Sequence, residues 1–253
     1  MLRSTLLVAV AALVALPRPA AAAPPPRPDD DQVVKVNRAI DRGVQYLRQT
    51  RKANTHWEGF WLNALSFDGG VTALGTLALL NCGVPADDRD VKPALDYLRQ
   101  RPLTGTYVVG LTTMVFAEAR QPEDRPRIQK NVDWLIQAAE KRNGKIVGWT
   151  YQSREGASPD GSNTQYALLG LYAGKQAGAT VPAEAWKQIR DLYATGIVPD
   201  GPDAGYWVYD QRTGGAGGVG AGSFTMTVAG VCGLLIADMG LDDNPQRLDP
   251  ATG

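Results

Sequence analysis

Two kinds of segment alternate along this chain, and their periodicity predicts helices throughout. The first kind sets apolar residues three and four positions apart and ends on an aromatic-Leu pair. It occurs at 36–47 (Tyr46-Leu47), 91–98 (Tyr97-Leu98) and 128–135 (Trp134-Leu135). A weaker copy at 183–192 carries Trp186, Ile189 and Leu192. Such spacing gives each helix one buried stripe and one charged face. Pro93 suits a first helical turn, where no N–H is needed. The second kind is apolar nearly all round: 70–80, 107–119, 164–171 and 225–235. These segments are too long for ordinary strands and read as helices enclosed by neighbours. Glycines 75, 110, 170 and 230 recur inside them, each costing about 1 kcal/mol relative to Ala. That recurrence predicts close helix–helix approach.

The loops that lead into two of the apolar helices also repeat. Gly148-Trp149-Thr150-Tyr151 precedes Gly161-Ser162-Asn163-Thr164, and Tyr206-Trp207-Val208-Tyr209 precedes Gly222-Ser223-Phe224-Thr225. The Gly-Ser-x-Thr copies stand 61 residues apart (161 to 222) and suggest N-caps, since a hydroxyl can accept from free N–H groups of the first turn. A glycine-rich stretch at 214–222 reads as a mobile loop. Repeats of this length indicate stacked units, none of which buries its apolar face alone.

The N-terminus follows another pattern. Arg3, an apolar run at 6–16 and the alanines at 20–23 match a secretory signal peptide over 1–23. The run is short of the roughly 20 residues a membrane helix needs; an uncleaved anchor is the alternative. Periplasmic or extracellular export follows. A Pro/Asp-rich linker (24–32), a repeat domain (33–240) and a C-terminal tail (241–253) complete the expected organisation. Past the leader, no segment reads as a stable membrane span. Twenty-six basic and 26 acidic residues balance; cleavage would remove Arg3 and Arg18 and no acid, leaving two acids in excess. The bases are scattered, which argues against nucleic acid. The two cysteines, Cys82 and Cys232, lie in apolar helical stretches where free buried thiols are common, although export would permit a bridge.

Four hairpins of polar and apolar helices, joined by aromatic-glycine loops, resemble the prenyltransferase/squalene-oxidase repeat of the terpenoid cyclase and protein prenyltransferase superfamily. The resemblance spans residues 33–240. It implies an all-α fold in which α-hairpins form an α/α toroid. Here about four hairpins stand where the family uses six or so, so the ring is expected to be incomplete. A second copy or a protein partner would then complete it. The family's Gly-x-Trp ending survives in fragments such as Gly148-Trp149. The cyclase Asp-x-Asp-Asp motif is reduced to Asp160, in Asp160-Gly161-Ser162-Asn163-Thr164. The resemblance therefore implies at most a lone acid there. Prenyltransferase zinc ligands are also missing: His56 is the one histidine, no Asp-x-Cys occurs, and no metal or other cofactor is expected.

Asp87-Asp88-Arg89-Asp90 has the letters of a magnesium-diphosphate motif, but its place before a helix favours the helix-dipole reading. With one histidine and no nucleophile elbow, no Ser-His-Asp triad is available. More informative are Trp57, Trp61, Trp149, Tyr151, Tyr166, Trp207 and Tyr209, several in loops entering apolar helices. There they either line a rim pocket for an apolar or carbohydrate ligand or pack loops against the helix ends. The sequence thus points to an exported, non-catalytic binding module, with a terpene cyclase- or prenyltransferase-like enzyme as the alternative.

Overall fold

The computed structural model describes residues 30–52, 55–57, 67–152, 158–210 and 219–242. The leader 1–23, most of the linker, Trp61 and the tail beyond Asp242 lie outside them. The chain divides into two compact units, 1–39 and 40–253, with the boundary inside the first helix. The described part of the first unit is the N-terminal half of that helix, where Val33, Val34 and Val36 are exposed. All sites discussed below belong to the second unit.

Eight α-helices dominate the described residues. The polar segments become α1 (Asp30–Thr50), α3 (Lys92–Arg99), α5 (Arg125–Gln137) and α7 (Ala183–Thr195). The apolar ones become α2 (Gly70–Asn81), α4 (Thr106–Ala119), α6 (Gly161–Gln176) and α8 (Phe224–Leu241). Two boundaries differ from expectation. Helix α1 starts at Asp30, inside the expected linker, and Asp31 pairs with Lys35 one turn on. Helix α8 runs for 18 residues, which gives it the length and composition of a bilayer span, contrary to the expectation of none. Its extension comes from Ile236 to Leu241, an apolar run interrupted by Asp238.

The apolar helices pack in a row, α2 on α4, α4 on α6, and α6 on α8. The polar helices back it: α3 against α2, α5 against α4 and α6, and α7 against α8. Two hydrophobic cores result. One gathers Trp57, Leu79, Leu95, Leu98, Phe116 and Ile128; the other gathers Leu135, Trp149, Leu168, Leu171, Trp186 and Ile189. Each such side chain contributes roughly 1.5–3 kcal/mol by leaving water. Two of the four recurrent glycines do serve helix contact. A Cβ at Gly170 would lie 2.7 Å from the Gly110 Cα, and one at Gly110 would lie 2.5 Å from the Tyr166 carbonyl oxygen. The other two serve another purpose: Gly75 and Gly230 make room for the rings of Trp57 and Trp207.

Two short antiparallel hairpins were not expected. Strands β1 (Glu140–Arg142) and β2 (Lys145–Gly148) are joined by Asn143-Gly144, both at positive φ, as the tight two-residue turn requires. Strand β3 (Val208–Asp210) pairs with β4 (Val219–Gly222), so the end of the expected mobile loop is ordered. Both cysteines are free thiols. Asp88 and Asp90 do not cap α3, whose N-cap, Val91, supplies no side-chain bond. They are bound instead to α1 and the residue just after it: Arg48 reaches both, Arg51 reaches Asp90, and Asp90 is almost fully buried.

Candidate functional site

The tryptophans of the entry loops are wedges between helices. The backbone N–H of Trp57 donates to Thr72 Oγ1 at 3.1 Å, and its indole N–H donates to the Leu47 carbonyl at 2.8 Å. Trp149 repeats this with Thr164 (3.1 Å) and Leu135 (2.7 Å), and Trp207 with Thr227 (3.2 Å) and Tyr193 (3.0 Å). Each loop is thereby tied to the start of an apolar helix and to the end of a polar one. The carbonyls of Trp149 and Trp207 also accept from the N-cap residues Asp160 and Ser223. The matching caps are therefore 63 residues apart (160 to 223), two more than the Gly-Ser-x-Thr letters suggest. Trp149 is wholly buried, and Trp57 and Trp207 nearly so. Of the two roles the sequence leaves open for these three rings, the geometry favours packing over lining a rim pocket: the rings are buried and their N–H groups bond to helix-end carbonyls.

The tyrosines are placed differently. Asp160 caps α6 and its backbone bridges both Trp149 and Asp210, which brings the two hairpins together at the helix start. Tyr151 follows the first hairpin and Tyr209 lies in the second; their hydroxyl oxygens are 3.1 Å apart. Ser162, on the first turn of α6, lies 3.2 Å from the Tyr209 hydroxyl and 2.7 Å from Asp160 Oδ1. Ser162 has a single proton, and the shorter, charge-assisted contact takes it. Tyr209 then donates to Ser162 and Tyr151 to Tyr209, so the chain of donors runs inward to Asp160. The Tyr107 ring, from the first turn of α4, stacks on Tyr151 at 5.8 Å and lies 4.3 Å from Tyr166, while Phe67 meets Tyr151 edge-on.

Burial and these contacts shift the phenols. Tyr151 titrates well above the usual tyrosine range, first through its bond to Tyr209 and then through burial. Tyr107 is raised by burial. Both rings stay neutral at physiological pH, able to donate and accept. Tyr151 and Tyr209 remain 46% and 45% exposed, so both side chains stay in contact with solvent.

Asp160 is 7% exposed and accepts from three donors: Ser162 Oγ, the Asn163 N–H (2.9 Å) and Asn163 Nδ2 (2.7 Å). Both oxygens are thus occupied as acceptors. A proton donor to a substrate needs the opposite arrangement, an O–H aimed into a cavity. Of the expected site residues, Asp160, Tyr151, Tyr166 and Tyr209 come together; Trp149 and Trp207 anchor the loops that carry Tyr151 and Tyr209, while Trp57 packs in the other core. Phe67, Tyr107 and Ser162 were missed. Their one sequence signal is position, since each flanks the first turn of an apolar helix. His56 stacks on Tyr97 at 4.5 Å and meets Thr55, far from any metal-ligand set among the described residues. The chain matches no protein-family model, no curated protein and no solved structure.

Proposed function

We propose that this chain is an exported module of four α/α-toroid hairpins that binds carbohydrate through the tyrosine cluster at the entry to its apolar helices. One observation carries the reading: Tyr151 and Tyr209 offer two half-exposed aromatic rings whose hydroxyls are joined through Ser162 to a buried carboxylate. A sugar presents apolar C–H faces to stack on such rings and hydroxyls to join such a chain, while an all-hydrocarbon ligand would leave the hydroxyls unanswered. The engaged oxygens of Asp160 support a binding role over the alternative of a terpene cyclase- or prenyltransferase-like enzyme with a lone acid. Export rests on the leader pattern of residues 1–23. The open edge of the helix row at α8 supports a protein partner or second copy that would extend the ring.

The test is calorimetric titration of the mature protein with soluble β-linked tetrasaccharides of glucose and of N-acetylglucosamine. Tyr209→Ala and Tyr151→Ala should each weaken binding by about tenfold, roughly 1.4 kcal/mol of lost contact, with helical content unchanged. If neither sugar binds, and native mass spectrometry finds no glycan-sized mass retained from the cell, the carbohydrate reading is wrong.

A further inference from the structure

A cavity of about 660 Å³ opens at the ends of α2, α4 and α6 opposite the tyrosine cluster. Along α4 its lining starts at Met114, about 10 Å from Tyr107 at 1.5 Å per residue, and reaches Arg120, about 20 Å away. Its volume lies within the roughly 300–1,000 Å³ of small-molecule sites. Leu77 on α2, Met114 on α4 and Tyr172 on α6 supply a largely apolar wall, one residue from each helix. Arg120, the C-cap of α4, and Arg125, the first residue of α5, line it together with Glu118.

Three features single this cavity out. Among the described residues, Arg120 and Arg125 are exposed with no carboxylate within ion-pair distance, as other exposed arginines are, whereas the part-buried Arg48, Arg51, Arg99 and Arg101 each pair with an aspartate. Arg120 caps α4 at φ 53°, a left-handed conformation that glycine adopts without steric cost. An arginine at such a position takes on backbone strain that glycine would not, which is consistent with a use for its charge. Tyr172 is half-buried, and burial raises its phenol above the usual range, so it stands on the wall as a neutral hydroxyl. Two guanidinium groups against the one carboxylate of Glu118 leave a single positive charge uncompensated.

We propose that this cavity binds a single-chain amphiphile with one negative charge, a fatty carboxylate, its chain along Leu77, Met114 and Tyr172 and its head at Arg120 and Arg125. The chain length sets affinity through burial, and the head sets orientation. Neither a neutral nor a cationic head of the same chain length satisfies both guanidinium groups.

Isothermal titration with octanoate, decanoate and laurate, all below their micelle concentrations, tests the assignment on the full-length mature protein. Affinity should rise by up to about fourfold per methylene buried. An Arg120→Gly/Arg125→Ala variant should lose at least tenfold in laurate affinity, and because Gly suits position 120 its fold should not suffer. Leu77→Gln should flatten the chain-length dependence, with the preference for a carboxylate head retained. The proposal is overturned if laurate does not bind the folded protein, if the arginine variant binds it equally well, or if dodecyltrimethylammonium binds as tightly. None of these measurements involves the tyrosine cluster, so Tyr151→Ala should leave laurate binding unchanged, and a loss there would also count against a separate site.

Discussion

At the residue scale, buried aromatic side chains divide by whether their polar atom is answered. The indole N–H groups of Trp57, Trp149 and Trp207 each find a helix-end carbonyl. Tyr193 is equally buried, yet its hydroxyl has no partner. An unanswered buried hydroxyl costs about 1–3 kcal/mol, and burial raises the Tyr193 phenol far above the tyrosine range. Tyr193→Phe should therefore stabilise the fold by about 1 kcal/mol at neutral pH. The pH dependence follows in sign. Between the unfolded value near 10 and the raised folded value, only the unfolded state has lost its proton, so stability falls as pH rises. Urea denaturation at pH 8 and pH 10.5 should show a smaller alkaline loss in Tyr193→Phe than in the parent. An equal loss would mean that other tyrosines carry it.

At the element scale, the alternating polar and apolar helices were legible because their periodicity is a local property. The segments at 70–80 and 128–135 fall within α2 and α5. The hairpin β1–β2 carried a readable sign in Asn143-Gly144 that the helical pattern around it overshadowed. The purposes of the glycines were not legible, because sequence does not say what faces them. Gly170 lies against Gly110 where α4 and α6 approach closely, while Gly43 in α1 has open space around it. Ala at either position gains about 1 kcal/mol of helix propensity. At Gly170 the clash costs more, typically 1–3 kcal/mol of overpacking. Gly43→Ala should raise the denaturation midpoint and Gly170→Ala should lower it; a rise in both would mean that α4 and α6 separate without cost.

At the scale of the whole molecule, the row of apolar helices ends in α8 with Phe224, Val228, Val231 and Leu235 exposed along one side. The opposite side is filled, with Gly230, Gly233 and Gly240 against Trp207, Tyr193 and Trp186. Exposed apolar stripes of this kind mark surfaces that associate. If a second copy covers the edge, analytical ultracentrifugation of the mature protein should show a dimer, and Val231→Glu/Leu235→Glu should return it to monomer. A monomeric parent would leave a different partner for that face. Helix positions, the apolar faces and Asp160 at a helix start follow from the sequence alone, since they depend on neighbours a few residues away. Only the tertiary structure decided that the tryptophans are wedges, that Asp160 is a cap with both oxygens engaged, and that Tyr107, Tyr151, Tyr166 and Tyr209 meet. Those facts depend on contacts between residues up to 59 positions apart, where packing, hydrogen-bond geometry and exclusion of water determine how each ring is held.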